Sequence, residues 1–149
     1  LIIVEGYDYI QVSMAKCCVP VPGDDILGFI TISNGIAIHR SDCLNIKIDP
    51  NKGERILDVS WGFEPNTGTI VWLEIEAIER PYLLRDATIA ISDNGGNILV
   101  AKSVTSSKRI VSLIFQIEVS DVTQLDAILN DAKDIENVFE ATRIYPGRK

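Results

Sequence analysis

The sequence predicts an α+β chain in two parts: a small β-rich domain carrying every cysteine over residues 1–65, and a βαββαβ domain over residues 66–149. Three observations lead there. In the second half, two stretches alternate apolar and polar residues with the period of a half-buried strand. Two others repeat apolar residues at helical spacing. Between the halves, residues 62–69 read Gly-Phe-Glu-Pro-Asn-Thr-Gly-Thr, a cluster of Gly, Pro and Asn that marks a loop or short linker.

The second half is taken first. Val71, Leu73, Ile75 and Ala77 alternate with Trp72, Glu74 and Glu76, which predicts a strand with one buried face. Pro81 stands where a helix can begin, and Leu83, Leu84, Ala87, Ala90 and Ile91 follow at helical spacing until Asn94-Gly95-Gly96 stops them. Ile98 to Ser106 reads as a second strand and Ser107-Lys108 as a tight turn. Val111, Leu113, Phe115, Ile117 and Val119 give the clearest strand of the chain. Asp121 is an N-cap for a helix presenting Val122, Leu125, Ile128, Leu129 and Ala132, and Val138 to Tyr145 closes with a fourth strand. Crossovers of the usual hand fold this order into a four-stranded antiparallel sheet with both helices on one face, the ferredoxin-like arrangement.

That fold hosts many functions, so its residues must discriminate among them. An RNA-recognition motif needs exposed aromatics with basic neighbours on its central strands. The third strand offers Ser112, Ile114, Gln116 and Glu118 instead. A metal carrier would need paired cysteines, and this half has none. A small-molecule sensor remains.

In the first half, Ile10 and Val12 begin a strand leading to Cys17-Cys18, and the prolines of Val19-Pro-Val-Pro-Gly-Asp-Asp25 exclude helix. Ile26 to Ser33 is strand-like, Asn34-Gly35 signals a hairpin, and Ile36 to His39 returns antiparallel. Arg40 to Cys43 reads as one turn of helix capped by Ser41 or Asp42.

Composition narrows the class. The chain has 149 residues, 46% apolar and 23% charged, which suits a soluble globular protein and excludes a disordered one. A net charge of −7 makes it a poor polyanion binder by itself, because phosphate contacts need clustered Lys and Arg. Residues 1–65 carry 5 basic and 9 acidic side chains and residues 66–149 carry 9 and 12, so neither half is a basic arm. No apolar run approaches a membrane span, and the first residues are too few for a signal-peptide core. Three cysteines, two of them adjacent, suit cytosolic thiols or metal ligands better than a disulfide framework, which places the protein in the cytoplasm. The chain starts at Leu1 and its sole methionine is Met14, so a piece of a longer or processed protein is expected.

All three cysteines and the single histidine fall between Cys17 and Cys43. Cys17, Cys18, His39 and Cys43 offer three sulfurs and one imidazole, a soft tetrahedral set suited to Zn²⁺. Adjacent residues of an extended strand point to opposite faces, so Cys17 and Cys18 share an ion only if the backbone bends there. Two other readings stand beside this one: cysteines as small buried apolar residues with a hydrogen-bonded histidine, and a nucleophilic or redox Cys–His pair.

These residues also carry a resemblance. Ala15-Lys-Cys-Cys-Val-Pro-Val-Pro-Gly-Asp-Asp-Ile-Leu-Gly-Phe-Ile-Thr31 and Gly35-Ile-Ala-Ile-His-Arg-Ser-Asp-Cys43 resemble the conserved-cysteine region of the RelA/SpoT family, long enzymes that make and often hydrolyse (p)ppGpp. The second half, with Glu79-Arg-Pro-Tyr-Leu-Leu-Arg-Asp86, is similar to the ACT domain that ends those proteins. The resemblance implies a C-terminal regulatory fragment of a GTP diphosphokinase acting in the stringent response, itself without catalysis. It implies a zinc-finger-like, ribosome-intersubunit domain over residues 1–65, with Cys17, Cys18, His39 and Cys43 as metal residues. In ribosome-associated members this module lies against ribosomal RNA when deacylated tRNA fills the A site, which implies Lys16, His39, Arg40 and Asp42 as contact residues here.

For residues 66–149 the resemblance implies contacts with other domains of the longer enzyme and pairing of two copies through their sheets. It also implies a ligand or interface loop comprising Arg80, Pro81, Tyr82, Leu83 and Asn97. Some members sense branched-chain amino acids there, which is the alternative function. The family pattern in that loop is Arg-Pro-Gly-Leu-Leu, and Tyr82 replaces the glycine. Tyrosine gives up close backbone approach and easy positive φ. Tyr82 is accordingly expected to be a surface or interface aromatic, with the ordinary pocket lost. The hydrolase's His-Asp cluster has no counterpart in a chain with one histidine, and no phosphate-cradling GxxxxGK[ST] motif is present.

Overall fold

A computed structural model describes residues 2–4, 11–31, 35–46, 56–62 and 68–145. The chain divides into two compact units, Leu1–Asn66 with Gly147–Lys149, and Thr67–Pro146.

The first unit is built of short strands. β1 (Ile2–Val4) pairs antiparallel with β6 (Val59–Trp61). A second sheet runs in the order β2 (Val12–Met14), β4 (Gly35–Arg40), β3 (Ile26–Thr31), β5 (Ile56–Leu57). β3 and β4 form the antiparallel pair anticipated around Gly35, with Thr31 opposite Gly35, while Ile10, the end of the expected strand to Ser33 and Asn34 lie outside the described residues. β2 joins the other edge of β4 in parallel, with Val12, Ser13 and Met14 opposite Ile36, Ala37 and Ile38. Gly35 makes this possible: its φ is 76°, and a Cβ there would run into the Gln11 carbonyl, which instead accepts the Ile36 N–H at 2.8 Å. Val4, Ile36 and Ile38 form the core, with Ile2, Val12, Ile26, Leu57 and Val59 packed against it.

The second unit has the predicted βαββαβ order: β7 (Thr69–Ile78), α1 (Leu83–Asp93), β8 (Asn97–Thr105), β9 (Ile110–Val119), α2 (Val122–Lys133) and β10 (Val138–Ile144). Its antiparallel sheet runs β10-β7-β9-β8, the ferredoxin-like order. The period-two positions Val71, Leu73, Ile75 and Ala77 on β7 and Val111 to Val119 on β9 are all buried. The buried residues of the helices are Leu83, Ala87, Ala90 and Ile91 on α1 and Leu125, Ile128 and Ala132 on α2. Asp121 caps α2 as expected, its carboxylate accepting the Gln124 N–H at 2.8 Å. Helical spacing misassigned Leu84, which is exposed because it sits one residue, about 100°, round the helix from buried Leu83.

Candidate metal centre

Three segments of the first unit deliver the four predicted donors. The first is a single turn. The Val19 N–H donates to the Ala15 carbonyl at 3.1 Å, closing an i→i+4 ring around residues 15–19, and Val19 leaves it at φ 42°. Successive side chains in such a turn diverge by roughly 100° rather than 180°, so Cys17 and Cys18 face a common point. This is the bend that adjacency required, and it precedes the prolines rather than resting on them.

The second segment is β4, which carries His39. The third follows it: the Cys43 N–H donates to the Arg40 carbonyl at 3.0 Å, and the Ile46 N–H to the Cys43 carbonyl at 3.1 Å. These are i→i+3 turns, so the helical turn expected at Arg40 to Cys43 is not formed. The reversal still carries Cys43 back over His39.

Cys17 Sγ lies 3.4 Å from His39 Nδ1 and 3.6 Å from Cys43 Sγ, and Cys18 Sγ lies 3.8 Å from the same Nδ1. All four donor atoms fall within 4.8 Å of one another. Four-coordinate binding at about 2.3 Å to sulfur and 2.0–2.1 Å to nitrogen spaces its ligands roughly 3.5–3.8 Å apart, so the cluster has the dimensions of a tetrahedral site. The 3.6 Å sulfur separation is far from the ~2.05 Å of a disulfide, and none of the three cysteines is in a disulfide. The Phe29 ring meets the His39 ring edge-on at 5.4 Å and 85°, fixing the imidazole with Nδ1 toward the sulfurs.

Electrostatics favour a protonated Cys18 thiol in the absence of a cation. Burial pushes the Cys18 thiol up to about 12; the Arg40 backbone N–H opposes this, and Cys43 and Cys17 reinforce it. Burial likewise lowers His39 below its ordinary value. A metal would have to displace the Cys18 proton, while the lowered His39 value favours the neutral imidazole that can ligate.

The remaining predicted residues separate. Lys16 is exposed beside Cys17, and Asp42 is exposed too. Arg40 is half-buried, its Nη2 2.8 Å from Asp42 and its Nε 3.9 Å from Asp24. Sequence reasoning singled out Arg40 for RNA and missed Asp24, whose carboxylate accepts the Val21 N–H at 2.8 Å. The available signal was an Asp directly after the Pro-x-Pro-Gly bend, a position where its side chain can cap a preceding amide.

In the second unit, Arg80, Tyr82 and Leu83 line a cavity of about 220 Å³ with Glu79, Arg85 and Ser103. Arg80 is committed elsewhere: Nε donates to the Glu136 carbonyl at 3.0 Å, and Nη2 pairs with Asp86 at 2.8 Å. Pro81 is exposed. Asn97 is not brought to this loop. It opens β8 opposite Glu118, whereas the loop follows the end of β7 where Ile78 faces Ile110, at the other end of the sheet. Tyr82 is an exposed aromatic as expected, the residue being 68% exposed with the Arg85 guanidinium 4.5 Å above its ring, yet it adopts φ 67°, the conformation glycine would supply.

The chain thus joins a small β unit bearing a Cys₃His donor set to a βαββαβ unit with a cavity beneath its first loop. Residues 2–62 match the RelA/SpoT RIS domain and residues 65–143 match the ACT domain. The chain belongs to the RelA/SpoT family through this pair of domains. It is 37% identical over 146 residues to a GTP pyrophosphokinase of Streptomyces antibioticus, covering 98% of this chain and 17% of that protein. It is 38% identical over 141 residues to the bifunctional (p)ppGpp synthase/hydrolase RelA of Mycobacterium tuberculosis, covering 95% and 19%. With the GTP pyrophosphokinase of Escherichia coli K12 the identity is 32% over 146 residues, covering 97% and 20%. The chain therefore spans between 17% and 20% of the length of these relatives. Among solved structures, the ACT domain from a GTP pyrophosphokinase of Chlorobium tepidum aligns with 52% of this chain and 100% of its own, at 18% identity and a TM-score of 0.47. Among the described residues no helix is long and apolar enough to cross a membrane.

Proposed function

We propose that this chain is the C-terminal regulatory region of a longer, cytoplasmic (p)ppGpp synthetase/hydrolase, holding zinc in its first unit and controlling an activity housed in the rest of that protein. The observation that carries the reading is the convergence of Cys17, Cys18, His39 and Cys43 inside a RIS-domain match. The residues fit the ion: three sulfurs and one imidazole at tetrahedral spacing are a structural zinc set with no position left open for substrate. Bound zinc would supply a cross-link between the 15–19 turn and the turn after β4. The chain's own residues present the donors, and His39 offers Nδ1 with its ring held by Phe29.

In this reading the surface next to the cluster, where Lys16 is exposed, meets ribosomal RNA and A-site tRNA. An acidic module adds to such binding because other domains of the longer protein share the electrostatic work. The second unit makes contacts with other domains or pairs with a second copy. Synthesis of (p)ppGpp by the full-length protein, with and without ribosomes carrying deacylated tRNA, tests the proposal. Cys43→Ala is expected to remove near-stoichiometric zinc and the ribosomal stimulation while basal synthesis persists. Full stimulation by a zinc-free variant would overturn it.

The cavity beside Arg80, Tyr82 and Leu83 favours a second reading, in which the ACT unit binds a branched-chain amino acid. Titration calorimetry with valine, leucine and isoleucine at millimolar concentration tests it. Saturable heat abolished by Leu83→Ala supports it, and absence of heat ends it.

A further inference from the structure

We infer that Asp24 and Arg40 act together as positioning residues for the cysteine–histidine cluster: their carboxylate–guanidinium brace holds the loop that follows Cys18 against β4. The inference rests on the metal reading above and concerns how its geometry is maintained.

Arg40 touches both ends of that loop. Its backbone N–H lies 3.3 Å from Cys18 Sγ, at the start. Its side chain lies 3.9 Å from Asp24 Oδ2, near the end. The same Asp24 oxygen accepts the Val21 N–H at 2.8 Å, and the Asp24 N–H returns to the Val21 carbonyl at 2.8 Å, so the carboxylate closes the bend at Gly23. The Asp24 carbonyl accepts the Trp61 indole N–H at 2.9 Å, and the Ser41 N–H donates to the Asp25 carbonyl at 2.8 Å. Pro20 and Val21 are fully buried beneath these contacts.

Burial distinguishes Asp24 from the other acid on Arg40. The Asp24 side chain is 7% exposed, against 68% for Asp42. A carboxylate so far out of water is unfavourable unless amides and a cation face it, and here both do. The exposed Asp42 pair contributes little by comparison. The loop joins Cys18 to β3, so freeing its far end would let the 15–19 turn drift from His39. Outer groups that orient ligands in this way typically change metal affinity 10–100-fold when removed.

Cobalt(II) titration of the reduced, metal-free 149-residue chain tests the inference, because tetrahedral thiolate coordination gives Co²⁺ a characteristic ligand-field spectrum. The wild type is expected to bind one Co²⁺ with that spectrum. Asp24→Asn, equal in size and still able to accept the Val21 N–H, is expected to bind about tenfold more weakly with an altered spectrum. Asp24→Ala should lose about 100-fold, Arg40→Lys should retain part of the affinity, and Asp42→Ala should stay within about threefold of wild type. Wild-type chain that binds no Co²⁺ overturns the metal reading and the brace with it. Wild-type binding with an Asp24→Asn variant unchanged in affinity and spectrum overturns the brace alone. So does a variant that lowers only the urea midpoint of the metal-free protein, since its role would then be purely structural.

Discussion

Met14 lies opposite Ile38 in the parallel β2–β4 ladder, and this register brings the Cys17–Cys18 turn beside His39. The Ala15 N–H continues the ladder by donating to the Ile38 carbonyl at 2.8 Å, and the turn begins at that residue. The β3–β4 hairpin does something else. It sets His39 opposite Leu27 and Arg40 opposite Ile26, which delivers the far end of the 19–25 loop. Two ladders on opposite edges of one strand thus bound the site.

Gly35 pairs with Thr31 in the antiparallel ladder and directly precedes Ile36, where the parallel ladder begins, so its replacement should be felt at the cysteine–histidine cluster. Gly35→Val places a branched side chain at φ 76° and against the Gln11 carbonyl. We expect a loss of roughly 2 kcal/mol in the first unit and weaker Co²⁺ binding. Urea denaturation monitored by Trp61 fluorescence, with a parallel Co²⁺ titration, checks this. Wild-type values for both would remove the parallel ladder's role.

Tyr82 permits a sharper comparison. Its left-handed backbone is unfavourable by about 1–2 kcal/mol for a side chain, and its stacking with Arg85 recovers about 0.5–1 kcal/mol. Tyr82→Gly relieves the strain but loses the stack and gains unfolded-state entropy, so it should fall within about 0.5 kcal/mol of wild type. Tyr82→Val keeps the strain and loses the stack, and should be about 1 kcal/mol less stable or worse. Equal stability of the two variants would show that the loop does not hold φ 67°.

Leu83 and Leu84 test the rotation of α1. Leu83 is 5% exposed and Leu84 47%. Leu83→Ala should destabilise the second unit by about 2–4 kcal/mol and Leu84→Ala by less than about 0.5 kcal/mol. Thermal unfolding followed by circular dichroism separates the two, and a reversed order would mean the helix is rotated by a third of a turn.

The sheet face opposite the helices supplies a pH dependence. Partial burial, with Glu74 and Glu140 beside it, pushes the Glu76 carboxyl above its ordinary value, and Glu140 sits directly opposite Glu76 on β10. The folded state therefore holds this proton more tightly than the unfolded chain, and stability falls as pH rises from about 4.5 through the folded value. Glu76→Gln should stabilise the unit by about 0.5 kcal/mol at pH 7, and the gain should vanish near pH 4. Asp86 behaves oppositely. Hydrogen bonds from Arg80, then Arg85, hold its carboxyl below the ordinary 3.8, so its contribution is lost as pH falls through that lower value. Urea midpoints of wild type, Glu76→Gln and Asp86→Asn across pH 3–7 check the two signs.

The sequence by itself determined most of the second unit. The alternation through Leu73 and Phe115, the helical faces through Ala87 and Ile128, and the cap at Asp121 are each written in contiguous residues, because periodicity and capping are local. It also singled out Cys17, Cys18, His39 and Cys43 by their chemistry. Tertiary structure brought those four side chains together. The one-turn bend at Ala15–Val19, the parallel pairing of Met14 with Ile38, and the clasp of Arg40 on Asp24 join segments far apart in the chain or use dihedrals that propensity disfavours. β1, β5 and β6 are two or three residues long, too short to carry a periodic signal, and only their partners make them strands. The same reason explains Tyr82, whose neighbours hold it at a backbone angle its own chemistry would not choose.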